Sequence, residues 1–239
     1  MINDFINMDA PDYERLYARF LKRPIDDLLL AVGPIEGKRV LDLCAGGLRA
    51  SVRAKELGAA YVCAVDISSS MLWSPSIENR WKAESLPDVR VVADISKWGR
   101  TESFSPYLSN TLFFDLVVCQ QGVNYWWGKY AVANIAASMK EDGCFVFNTF
   151  VQRPDEVPKR REYEIDGRSY TEVSWLVGDI VVHVQTCEGE SHSSTFRWIP
   201  HGEFVDVLKM HFSDIETLYD DRCRSIIYVC RKGLTNAGD

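Results

Sequence analysis

The sequence predicts an α/β fold: a doubly wound, mostly parallel seven-stranded sheet with an antiparallel β excursion after the fifth strand. Three observations predict it. Up to about residue 150, short unbroken apolar runs alternate with helical stretches, the pattern of parallel strands covered on both faces. Beyond that point the chain changes to short strand-like segments joined by glycine-containing pairs. The first four apolar runs are also followed by glycines or polar residues, where doubly wound sheets bind their ligands.

Residues 10–31 read as a helix, the main part of an N-terminal helical cap over residues 10–35. Asp9 is its N-cap, Pro11 falls in the first turn, where its missing N–H breaks no bond, and Pro24 is a break. Leu16, Phe20, Leu28 and Leu29 carry its apolar faces. Lys38 to Leu43 is the first strand, and Ala50 to Leu57 a helix ended by Gly58. Ala60 to Val65 is the second strand, followed by a helix from Ser68 to about Trp73. Val89 to Ala93 and Phe113 to Cys119 are the third and fourth strands. The segment 97–111 is too long for a plain connection and reads as a lid or an unstable helix. A helix from Tyr130 to Met139 precedes Asp142-Gly143, which turns the chain into the fifth strand, Cys144 to Asn148. The excursion, residues 151–199, holds strands at Tyr163 to Ile165, Tyr170 to Leu176, Ile180 to Thr186 and Ser194 to Trp198. Asp166-Gly167, Gly178-Asp179 and Gly189 link them. A helix from Gly202 to Met210 and strands Asp214 to Leu218 and Ser225 to Cys230 complete one domain over residues 1–239.

With 239 residues, 46% of them hydrophobic, the chain buries a core without needing disulfides or metals. No run approaches the roughly 18 apolar residues of a membrane span, and Met1 to Phe5 lack the marks of a signal peptide. The seven cysteines are scattered with no C-x-x-C pair. Cys44, Cys63, Cys119, Cys144 and Cys230 sit in apolar runs as small hydrophobes, which fits a cytoplasmic location. A net charge of −7 repels phosphate backbones, so nucleic acid is not the expected partner. The basic clusters Arg15/Arg19/Lys22/Arg23 and Lys159-Arg160-Arg161 read as solvated faces. Four histidines, at 183, 192, 201 and 211, match no helical ligand spacing, so no metal is expected.

The constellation that carries chemistry lies at the strand ends. Asp42-Leu43-Cys44-Ala45-Gly46-Gly47 follows the first, Asp66 closes the second, and Asp94 follows the third. Gln120 and Gln121, leading to Tyr125 and Trp126, follow the fourth. Glycine lets backbone approach a ligand closely, and a carboxylate at Asp66 suits the two hydroxyls of a ribose. A G-x-G-x-x-G dinucleotide fingerprint does not fit the spacing from Gly46. Gly33 to Arg39 is one residue short of a phosphate loop and precedes its strand, and no G-x-S-x-G elbow is present.

These stretches resemble the class I S-adenosylmethionine-dependent methyltransferases over roughly residues 10–150 and again at the closing strands. Val40 to Gly46 is similar to that family's first motif, Ala64 to Leu72 to its second, Val92 to Ile95 to its third, and Phe114 to Gln120 to its fourth. Met139 to Val146 is similar to the turn into its fifth strand. The resemblance implies a Rossmann-like fold and S-adenosyl-L-methionine as cofactor. It implies that Asp42, Cys44, Ala45 and Gly46 bind the cofactor, Gly46 and nearby backbone lining the methionine moiety, while Asp66 holds the ribose. Ile67 and Met71 flank the adenine, Asp94 receives its amino group, and Ile95, Gln120 and Gln121 complete the set. Cys44-Ala45-Gly46-Gly47-Leu48 departs from the family's glycine-x-glycine-x-glycine, so Leu48 is expected to stand near the cofactor loop. The implied activity is N- or O-methylation of a small molecule. The alternatives are a cap-type RNA acceptor, suggested by Gln120 to Tyr125, and a non-catalytic cofactor-binding scaffold. A general base is needed only for a protonated nucleophile; His201, Tyr125 and Tyr17 are the candidates. In the excursion, Tyr170, Trp175, Phe196 and Trp198 are expected to wall the acceptor side, the alternative being hairpin packing or a homodimer contact.

Overall fold

The computed structural model describes residues 26–97, 113–150, 153–220 and 225–233. The run Val40-Leu41-Asp42-Leu43 forms β1 (Arg39–Leu43), buried from its second residue onward. Helix α1 (Asp26–Leu30) precedes it and α2 (Arg49–Glu56) follows. The chain continues through β2 (Tyr61–Asp66), α3 (Ser69–Leu72), α4 (Pro75–Arg80) and β3 (Val89–Val92). Then come β4 (Phe114–Cys119), α5 (Val123–Trp126), α6 (Lys129–Ser138) and β5 (Met139–Phe150). Four antiparallel strands follow: β6 (Lys159–Ile165), β7 (Arg168–Val177), β8 (Ile180–Cys187) and β9 (Glu190–Arg197). Helix α7 (His201–Leu208) leads to β10 (Asp214–Asp220) and β11 (Ser225–Arg231).

Seven strands make the main sheet in the order β10-β11-β5-β4-β1-β2-β3. Pairing is parallel from β3 to β5, while β11 runs antiparallel to both β5 and β10. Alternation along the strands sends Val40, Val62, Leu116, Val118 and Val146 into one core with Leu29, Ala50 and Ala54. Leu41, Leu43, Val117, Phe145 and Phe147 enter a second core with Ile135, Phe204 and Tyr228. Two apolar faces covered by helices are the doubly wound fold that the unbroken strand runs predict.

A separate four-stranded meander, β6-β7-β8-β9, is inserted between β5 and α7. Asp166-Gly167 and Glu188-Gly189 both take positive φ at its tight turns, which two-residue hairpins with right-handed twist require. Its row Leu176, Val181 and Phe196 packs with Tyr125 and Trp198. Among the described residues no helix is long and apolar enough to cross a membrane.

Several boundaries differ from expectation. Strand β5 starts at Met139, not Cys144, because Phe114 pairs with Met139 and Leu116 with Cys144. Asp142-Gly143 is therefore part of a bulge within the strand. Gly143 is required there, since a Cβ would stand 2.9 Å from the Lys140 carbonyl oxygen. The expected cap over residues 10–35 is helical only at Asp26–Leu30 within the described region; the chain then turns, with Gly33 at φ +81°. Tyr17 and nearly all of the segment 97–111 lie outside the described residues. The meander strands run longer than predicted, because hairpin pairing carries polar residues such as Lys159 and Glu190 into the ladder. Helices α4 and α5, each of six residues or fewer, were not predicted.

Candidate functional site

Parallel register brings three strand ends together. Leu43 lies opposite Val65 on one side and Cys119 on the other, so the loops after β1, β2 and β4 meet above the sheet. Asp66 stands where the first two of these loops meet, 9% exposed. Its Oδ2 accepts the Gly46 N–H at 2.8 Å and its Oδ1 accepts the Ser68 N–H at 2.9 Å. Burial raises its pKa, opposed by these backbone donors. The Ile67 N–H reaches it as well, and a carboxylate offers about four lone-pair sites, so roughly one remains for a ligand's hydroxyl group.

The loop after β1 is a tight, left-handed coil of main chain. Cys44, Gly46 and Leu48 have φ of 56°, 47° and 63°. Ala45 donates to the Val65 carbonyl at 3.0 Å and Leu48 to the Ala45 carbonyl at 2.8 Å, while the Trp81 indole donates to the Gly47 carbonyl at 3.1 Å. Leu48 does not line the surface of this loop. Its left-handed backbone turns the side chain inward, fully buried with Val52, Ala64, Met71, Leu72 and Ile77. Cys44 in place of glycine is accommodated across the site by Gly122. A Cβ on Gly122 would stand 2.6 Å from the Cys44 Sγ and 3.0 Å from the Cys119 Sγ. A hydrogen bond with Cys119, together with burial, holds the Cys44 thiol well above its ordinary pKa, so it is not a ready thiolate.

The other predicted positions divide into two groups. Asp42 is not at a strand end: it is buried within β1, and its Oδ2 accepts the Ser51 hydroxyl at 2.7 Å. Burial, opposed by Ser51, pushes its pKa up to about 7. It ties β1 to α2. Ile95 also turns into the core, in a short helical turn at Ile95–Lys97. Ala45 is buried in the cluster that takes Leu48. Met71 lies against the loop, its Cε 3.4 Å from where a Gly46 Cβ would be, and Ile67 is 42% exposed beside Asp66. Asp94 accepts the Ser96 N–H at 3.0 Å and pairs with Lys97 at 3.1 Å. Burial raises its pKa, but Ser96 and Lys97 outweigh this and leave it lowered.

Gln120 and Gln121 are half-buried in the loop after β4. Gln121 has φ +57°, and its N–H donates to the Asn148 Oδ1 at 2.8 Å. Its own Nε2 is buried without a hydrogen-bond partner. Tyr125 packs edge-on against Phe196 of β9, ring centroids 5.6 Å apart. His201 opens α7 with its Nδ1 2.6 Å from the Tyr228 hydroxyl. Tyr228 lies on β11, two strands from β4, which places that contact about 10 Å to the side of the β4 loop. Of the excursion's aromatics, Phe196 and Trp198 join the cluster at Tyr125, whereas Tyr170 stacks on Tyr163 within the meander.

Sequence reasoning missed Asn148, Asn124 and Ser51. The Thr149 hydroxyl donates to the Asn124 Oδ1 at 2.7 Å, and the Asn124 Nδ2 donates to the Arg197 carbonyl at 3.0 Å. Asn148 closes the fifth apolar run, so the strand-end logic that selected Asp66 also points to it.

No protein-family model matches the chain, and no curated protein matches it in sequence. Comparison with solved structures does find relatives. An S-adenosylmethionine-dependent methyltransferase from Clostridium acetobutylicum is 17% identical with a TM-score of 0.69, covering 94% of this chain and 97% of that one. CalS10, an amino pentose methyltransferase from Micromonospora echinaspora solved with bound S-adenosylmethionine, is 15% identical with a TM-score of 0.67, covering 90% and 94%. The glycopeptide N-methyltransferase MtfA, complexed with S-adenosyl-L-homocysteine, is 16% identical with a TM-score of 0.58, covering 94% and 92%. The chain carries the fold of these proteins over nearly its whole length.

Proposed function

We propose that this chain is an S-adenosylmethionine-dependent methyltransferase acting on a small-molecule acceptor at nitrogen or oxygen. One observation carries the reading: Asp66, nine-tenths buried at the end of β2, is held by backbone N–H groups from two loops and keeps acceptor capacity toward the site. The shared fold supports it, as do the bound cofactors and named small-molecule acceptors of CalS10 and MtfA. The residues present also fit the cofactor. Gly46, at φ +47°, leaves the loop bare main chain at its centre, and the orphaned Gln121 Nε2 is a donor in want of an acceptor.

When bound, the cofactor supplies an electrophilic methyl group on a sulfonium. In this reading Asp66 holds the ribose hydroxyls and fixes the cofactor's position along the sheet. Ile67 and Met71 flank the adenine, and Asp94 accepts from its amino group. The loop 44–47 presents main chain to the methionine end. Tyr125 and Phe196 form an apolar wall that excludes water and aims the acceptor in line with the methyl group. Orientation of this kind supplies on the order of 7–11 kcal/mol in favourable cases. Tyr125 is better placed than His201 to meet the acceptor, since it follows the β4 loop directly.

Calorimetry with S-adenosylhomocysteine tests the reading, with micromolar or tighter binding expected. No binding would leave the fold as a scaffold without its ligand. A filter-binding titration with capped RNA across ionic strength tests the acceptor class. Submicromolar affinity with a steep salt slope would assign RNA in place of a small molecule.

A further inference from the structure

We infer that Asn148 is a positioning residue of the cofactor site: it acts through the backbone of Gln121 and sets the shape of the loop after β4. The inference rests on the cofactor reading given above. Gln121 is a non-glycine residue in the left-handed region, an unfavourable conformation that persists only where its surroundings impose it. The imposing contact is visible, because the Gln121 N–H donates to the Asn148 side chain at 2.8 Å. Asn148 is itself fixed near the centre of the sheet, where its residue pairs with Ile227 of β11.

The next residue completes the grip. Strand alternation sends Thr149 to the opposite side, where its hydroxyl holds Asn124 at 2.7 Å. Asn124 in turn holds the Arg197 carbonyl of β9 at 3.0 Å. Two consecutive β5 residues thus secure both ends of the segment 121–124. That segment carries the unpaired Gln121 amide and presses Gly122 against Cys44 of the facing loop. Without Asn148, Gln121 relaxes to negative φ and the loop loses its fit to a ligand.

A double-mutant cycle tests this, read by S-adenosylhomocysteine calorimetry. Asn148→Ala should weaken binding about tenfold, the scale of one lost hydrogen bond. In the Gln121→Gly background, where left-handed φ costs nothing, the same change should cost less than about threefold. Asn148→Asp keeps the acceptor oxygen and should stay within about threefold of the parent protein. Equal losses from Asn148→Ala in both backgrounds would overturn the positioning role and leave a general structural one. A second readout needs no ligand: amide hydrogen exchange at Gln121 in the free protein. Asn148→Ala should speed it at least about tenfold and Asn148→Asp should not, since the lost bond is what protects that N–H. Unchanged exchange would also overturn the inference. Failure of the parent protein to bind S-adenosylhomocysteine while exchange responds as expected would refute the cofactor reading and leave the Asn148–Gln121 linkage standing.

Discussion

Replacing Gly122 with alanine isolates the steric exchange between the two sides of the site. The backbone there has φ −99° and ψ −17°, which alanine adopts freely, so only the added methyl matters. That methyl would stand 2.5 Å from the Cys44 Cβ, 2.6 Å from its Sγ and 3.0 Å from the Cys119 Sγ. Two of these contacts are far inside van der Waals distance, and Cys44 is held in a tight coil and cannot swing away. Overpacking a fitted site costs about 1–3 kcal/mol. For a domain of this size that is a fall in Tm on the order of 5 °C. Cys44→Gly removes the two closest atoms and suits the φ of 56° at that position. The double variant should therefore recover most of the loss, with a coupling of about 1 kcal/mol or more between the sites. Thermal denaturation of all four proteins measures it. Additive losses, with no recovery in the double variant, would refute the claim that Gly122 makes room for Cys44.

Three further outcomes are expected. Asp66→Ala should weaken S-adenosylhomocysteine binding by about 1.5–3 kcal/mol, the range for hydrogen bonds to a charged group, and undiminished affinity by calorimetry would remove the ribose assignment. Asp42, raised from an ordinary 3.8 to about 7, binds its proton more tightly in the folded state. Its contribution to stability is thus full below about pH 4 and is lost as the pH rises through about 7; Asp42→Asn should flatten that slope in urea midpoints between pH 5 and 8, and an unchanged slope would refute the assignment. Asn124→Leu should destabilise by about 1–3 kcal/mol in chemical denaturation, because it strands the Thr149 hydroxyl and the Arg197 carbonyl; a smaller effect would mean that water replaces both bonds.

The central strands of the main sheet were legible in the sequence because they are buried on both faces. Runs such as Val62-Cys63-Ala64-Val65 have no solvated side to interrupt them. The strand-end position of Asp66 was legible because a lone carboxylate closes an apolar run. The burial of Asp42 and Ile95 was not legible: alternation within a strand or short turn decides which way a side chain faces, and adjacency to a motif does not reveal it. Leu48 misled in the opposite direction. Linear spacing sets it near the ligand, but left-handed φ, invisible in sequence, returns it to the core. The Cys44–Gly122 and Gln121–Asn148 contacts join residues 78 and 27 positions apart, and only the folded register brings them together.

The meander between β5 and α7 also divides the chain in time. Every pairing within it joins neighbours in sequence, so each hairpin closes over a two-residue turn at little loop entropy. The main sheet does not share this advantage. Its central pair, β1 with β4, encloses some seventy residues, and the Arg39 N–H reaches the Asp115 carboxylate across 76 positions. Contacts of such separation form slowly. On a growing chain, β11 seats against β5 only after the whole meander has been made. The early hairpins shorten the chain between these two partners, so the inserted residues add less to the entropy of closing the sheet than their number alone would cost.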